Sequence, residues 1–68
     1  MEANIDNKIS EILGQRNMTQ HELARMAGLP DAHLNRIING YRIPTIVTAM
    51  KICRALGLPI EQVFQVAA

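Results

Sequence analysis

Sixty-eight residues, 49% of them hydrophobic, with a net charge of +1, make one small domain spanning residues 1–68 rather than a disordered tail. No apolar run is long enough to span a bilayer and no leader opens the chain, so a cytoplasmic protein is expected. The lone Cys53 excludes an intramolecular disulfide; it falls in an apolar helical pattern and reads as a small buried hydrophobe.

Asn4 is placed to cap a first helix, with Ile5, Ile9, Ile12 and Leu13 following at i, i+4, i+7 and i+8 as one apolar stripe. Gly14 weakens the end of that helix. Thr19 and Glu22 form a capping box, which starts a second helix at Gln20. Gln20 then projects from a helix N-terminus, where outward amides favour a phosphate. Leu23, Ala24 and Ala27 belong to the buried side of this helix. Gly28 adopts a positive φ without steric cost, so one helix stops and the next starts at once, as in a helix-turn-helix.

The third helix begins near Pro30 or Asp31 and runs to Asn39. At 100° per residue, Leu34, Ile37 and Ile38 cluster on one side, while Ala32, Arg36 and Asn39 lie opposite, flanked by His33 and Asn35. That outward face is short, polar and cationic at its middle, with hydrogen-bonding and methyl-contact chemistry suited to base edges in a major groove. Gly40 ends the helix and Pro44 prevents its continuation. Thr45 caps a fourth helix whose core-facing positions are read as Ile46, Ala49, Met50, Cys53 and Leu56, with Ile52 alongside. Met18, Met26 and Met50 read as core filler. Gly57 ends this helix and Pro59 opens a fifth, carrying Ile60, Val63 and Phe64. The run from Phe64 to Val66 alternates, so the chain ends either in a last helical turn or in a short extended piece.

The fold expected is all-α: a compact bundle of five short helices around a central helix-turn-helix. Charge is unevenly spread along it. Residues 16–54 hold six cations against Glu22 and Asp31, a net +4, whereas residues 1–15 carry −2 and residues 55–68 carry −1. Positive charge on and after the central motif suits a phosphate-bearing partner.

Several spaced signatures then agree with one family. Thr19, Gln20, Glu22, Leu23, Ala24 and Gly28, followed by Asn39, Gly40, Tyr41, Arg42, Ile43 and Pro44, and then by the stretch from Lys51 to Glu61, resemble the phage-repressor and Cro-type, lambda-repressor-like, helix-turn-helix DNA-binding domain. The resemblance covers roughly residues 5–64. It implies a five-helix domain, a dimer, and a transcription regulator of a prokaryote or phage. It also implies that Gln20, Asp31, Ala32, His33 and Arg36 meet bases, and that Asn39, Tyr41 and Arg42, with Thr19 and Asn35, meet the phosphate backbone.

Residue chemistry runs parallel to this. The Arg36 guanidinium forks onto guanine O6 and N7, Gln20 pairs with adenine or a phosphate, Asp31 accepts from a cytosine amino group, and Ala32 packs on a thymine methyl. Backbone contacts set register and carry no sequence information. The apolar end of the chain, Ile60, Val63, Phe64 and Val66, has side chains to spare for a symmetric homodimer, whose two recognition helices would stand about 34 Å apart on a near-palindromic operator of double-stranded DNA. The alternative is an antitoxin or other interaction module whose main partner is a protein. No acid pair, nucleophile–base set or metal spacing points to an enzyme, and no cofactor or metal is expected.

Overall fold

The computed structural model describes residues 4–67. Five helices, α1 (Ile9–Arg16), α2 (Gln20–Ala27), α3 (Asp31–Ile38), α4 (Ile46–Leu56) and α5 (Ile60–Val63), are framed by two short strands, β1 (Asn4–Asn7) and β2 (Phe64–Ala67). α2 to α5 stand where the periodicity and caps place them, whereas α1 starts at Ile9, later than the Asn4 cap expected for it. The strands differ from the all-helical expectation.

Asn4 is not a helix cap. Residues 4–7 pair antiparallel with β2, Ile5 opposite Val66 and Asn7 opposite Phe64. The Lys8 amide then donates to the Val63 carbonyl at 2.9 Å, carrying the pairing into the end of α5. Burial alternates along β1, as a strand with one covered face requires. Asn7 makes the change of geometry: its Oδ1 accepts from the Ile9 amide at 3.1 Å, one of the unpaired donors of the first turn of α1. The tail is extended, which resolves the two readings of Phe64 to Val66 in favour of the strand.

Ile9, Leu23, Leu34, Ile37, Ile52 and Val63 have almost no exposed surface and are the centre of a single apolar cluster fed by all five helices. α2 packs on both α3 and α4. Arg16, at the end of α1, donates from Nη1 to the Leu56 carbonyl at 2.7 Å. A cation at the C-terminal end of α4 satisfies an orphan carbonyl and suits the helix dipole.

Two assignments on α4 are corrected. Its buried stripe is Thr48, Ala49, Ile52, Cys53 and Leu56, while Ile46 and Met50 are more than half exposed. Both lie to the side of that stripe when α4 is set against α2. Thr48 is tolerated inside because its hydroxyl and its amide both bond Thr45 Oγ1, at 3.2 Å each. Met26, also expected inside, is 55% exposed. Val63 and Phe64, expected at an interface, are core residues of the protomer: β1 and the helices cover them, so they have no surface for a partner. Ile60 and Val66 are exposed. Cys53 is a free, buried thiol, and burial, with the Glu61 carboxylate adding to it, raises its pKa. Such a thiol is a poor nucleophile at neutral pH.

The correction on α4 is measurable. Ile52→Ala empties a fully enclosed site and should cost about 2–5 kcal/mol. Met50→Ala, two residues earlier on the exposed side of α4, should stay within about 0.5 kcal/mol of the parent in urea unfolding. Equal losses at the two positions would mean that Met50 is interior after all.

Candidate nucleic-acid interface

The capping box at the start of α2 is complete. The Glu22 amide donates to Thr19 Oγ1 at 3.1 Å, and the Thr19 amide donates to Glu22 Oε1 at 3.2 Å. The Thr19 hydroxyl also donates to Glu22 Oε1 at 3.1 Å, so its one proton is engaged within the helix end. Gln20, the first residue inside the box, is exposed.

α2 ends on Gly28, whose φ of 71° is the left-handed conformation that L side chains avoid. Leu29 then returns its amide to the Ala24 carbonyl at 2.8 Å and tucks its side chain against the core. Pro30, extended, is the N-cap of α3, where its missing donor costs nothing. Eight residues of α3 follow. Leu34 and Ile37 are 0% and 1% exposed and hold one side of the helix against α2 and the core. Asp31, Ala32, Asn35, Arg36 and Asn39 are exposed, and His33 is half-buried.

The far end of α3 is tied down from an unexpected place. Asn7 Nδ2, on β1, donates to the carbonyls of Ile37 and Ile38 at 3.0 and 3.3 Å. One side chain therefore starts α1 and finishes α3. Beyond it Gly40, with a φ of 79°, turns the chain, and the Tyr41 amide closes on the Arg36 carbonyl at 2.9 Å. Tyr41 is 83% exposed and does not fold back on the core; Arg42 is exposed beside it in sequence.

Two sets of side-chain contacts join the outer surfaces of α2 and α3. His21 Nδ1 lies 2.8 Å from Asp31 Oδ2. A carboxylate only accepts, so the ring nitrogen carries the hydrogen. Both partners are mostly exposed, and the pair is worth little in stability. Its consequence is positional: one Asp31 oxygen is already held. The second set is a chain of amides. Asn35 Nδ2 donates to Gln20 Oε1 at 3.1 Å, and Asn39 Nδ2 donates to Asn35 Oδ1 at 3.1 Å.

The residues read as contacts thus divide into groups. Gln20, Asn35 and Asn39 are joined. Asp31 is joined to His21, a residue outside the predicted set. Ala32 and Arg36 stand on the exposed side of α3, and Tyr41 and Arg42 follow its exit. Among the described residues, His21–Asp31 is the one contact within 4.0 Å between a basic side chain and a carboxylate, so Arg36 and Arg42 have no carboxylate partner there. A guanidinium without an internal partner keeps all five donors for a ligand. His21 and Asn7 were missed because their partners lie 10 and 30 residues away. Only a placed α3 brings them together.

The helix-turn-helix family model matches residues 9–63, from the start of α1 to the end of α5. Over 58 residues the chain is 29% identical to an uncharacterized HTH-type transcriptional regulator of Bacillus subtilis (strain 168), YgzD; the match covers 85% of this chain and 88% of that protein. It resembles the restriction-modification controller protein C.AhdI from Aeromonas hydrophila with a TM-score of 0.76 at 22% identity, over 81% of this chain and 83% of that one. It resembles the transcriptional regulator VanUg with a TM-score of 0.80 at 16% identity, over 97% and 88%. At these identities the two structures speak for the fold alone.

The capping box is the local device that presents Gln20. Thr19→Ala should cost about 1 kcal/mol. In a domain of this size that lowers the thermal midpoint by about 4–8 °C. An unchanged midpoint in a calorimetric scan would show that α2 starts without it.

Proposed function

The chain belongs to the helix-turn-helix family of phage-repressor and Cro type, a family of DNA-binding transcription regulators, and from that premise we propose that it is a sequence-specific repressor. It binds a near-palindromic operator as a homodimer, with α3 in the major groove of each half-site. The observation that carries this reading is the two-sided character of α3. Leu34 and Ile37 are sealed inside, and the opposite side presents Arg36, which has no carboxylate partner among the described residues.

In this reading Arg36 forks onto a guanine, and Ala32 packs on a thymine methyl. His33 sits beside them on α3. Asp31 keeps an oxygen free of His21 for a cytosine amino group. Gln20 reaches in from the capped start of α2. Arg42, Tyr41 and Asn39 grip the backbone at the exit of α3 and set the register. Occupying the groove then excludes polymerase from the promoter. The homodimer uses what α5 and β2 leave exposed, Ile60 and Val66. A two-fold axis there would place the two copies of α3 about 34 Å apart, one turn of duplex. Among the described residues no helix is long and apolar enough to cross a membrane, and the cytoplasm is the compartment in which such a regulator meets DNA.

A second reading has one observation behind it. Met26, Val47 and Met50 are exposed together along α2 and α4 and line an open cleft edged by Lys51 and Arg54. An apolar face of this kind suits a protein partner, as in an antitoxin. Co-purification at fixed stoichiometry with the product of a neighbouring gene supports that reading, and a clean homodimer in light scattering supports the first.

Fluorescence anisotropy on DNA selected from a random pool tests the regulator. Affinity should fall steeply with salt, because phosphate contacts release counterions. Arg36→Ala should relax preference at one base position by about 1–3 kcal/mol, while Arg42→Ala should weaken all sequences alike and reduce the salt slope by about one. Identical behaviour of the two variants would remove the division between reading and anchoring.

A further inference from the structure

The amide chain across α2 and α3 has a direction that the contact assignments alone do not supply. Asn39 donates to Asn35, and Asn35 donates to Gln20. Each amide carries one oxygen and two N–H donors. Asn35 accepts from Asn39 on its oxygen and donates one N–H to Gln20, so each end of its side chain is tied within the protein, with one donor and one lone pair left over. Gln20 is the end of the chain. Its oxygen is held by Asn35, and both of its own donors are left over.

We infer that Asn35 is a positioning residue for Gln20 and makes no DNA contact of its own, which rests on the regulator reading above and sharpens it. Gln20 sits on an exposed helix start, where a free glutamine samples many rotamers. Holding its Oε1 from a neighbouring helix removes part of that freedom before DNA arrives, and preorganisation of this kind raises affinity without adding a contact. It also selects what Gln20 takes. With its oxygen tethered to Asn35 and both N–H donors free, Gln20 serves a DNA acceptor, a phosphate oxygen or a purine N7, in preference to the two-pronged grip on adenine, for which the tethered oxygen would have to serve Asn35 and the base at once. Asn39, anchored to Asn35 from the exit of α3, steadies the middle of the chain.

A double-mutant cycle with the full chain separates this from an independent contact. The four proteins are the parent, Gln20→Ala, Asn35→Ala and the double variant, measured by anisotropy on the selected duplex. Each single variant should bind about two- to tenfold more weakly, the range of one hydrogen bond. The double variant should be no weaker than Gln20→Ala alone. Losses that multiply would show that Asn35 holds DNA by itself and overturn the inference. A second measurement needs no DNA. In the free protein, nitrogen relaxation of the Gln20 side-chain amide should report an ordered group in the parent and a mobile one in Asn35→Ala, with the Leu34 and Ile37 resonances unmoved. A Gln20 amide equally mobile in both proteins overturns the inference while leaving the regulator intact. A parent that binds no duplex, with the relaxation difference present, instead sinks the regulator reading and keeps the tie between the two amides.

Discussion

The burial of Leu34 and Ile37 is the constraint on which the arrangement turns. An eight-residue helix has little stability of its own in water. α3 exists and points where it does because two of its side chains are enclosed between α2 and the rest of the core. Enclosing them leaves the rotation of α3 no freedom, and Ala32, Asn35 and Arg36 are outward as a result. The left-handed turn at Gly28 sets the entry to the helix, and the Asn7 side chain satisfies carbonyls at its exit. Both ends and one side are therefore held by the scaffold, and the remaining side is free to meet a ligand.

The positive charge of the middle of the chain is divided between two uses. Arg16 is spent on the C-terminal carbonyl of α4 and is part of the architecture. Arg36 and Arg42 have no carboxylate partner among the described residues. The acidic residue nearest the exposed face, Asp31, has a histidine against it. Among the neutral groups, the Thr19 hydroxyl is engaged in the capping box, and Gln20, Asn35 and Asn39 are linked to one another while exposed.

Much of this was legible in the residues, for local reasons. The Thr19 capping box, the Thr45 cap and the glycine ends of α2 and α4 are written within a few positions of where they act. The two faces of α3 follow from one turn of helical spacing. The β1–β2 pair was not legible, because its ladder joins residues some sixty positions apart. The i, i+4 relation of Ile5 to Ile9 also extends the α1 stripe across a strand by coincidence. Ile46 and Met50 look like core residues in sequence because α4 is apolar on more than one side, and only its packing against α2 and α5 decides which side is covered. Val63 and Phe64 appeared spare until β1 was seen to cover them. The pairs His21–Asp31 and Asn35–Gln20 each need two helices in place before either partner has a meaning.

The central claim is that the outward side of α3, with the start of α2 and the exit loop, is the surface that meets duplex DNA. The most direct measurement is a titration of the labelled protein with a selected duplex, followed by amide and side-chain nitrogen–proton correlation spectra. The account predicts that the largest shifts fall at Gln20, at residues 31–36 and at residues 39–42, with Ile46, Val47 and Met50 unmoved. Shifts centred instead on α4, with Arg36 undisturbed, would contradict it.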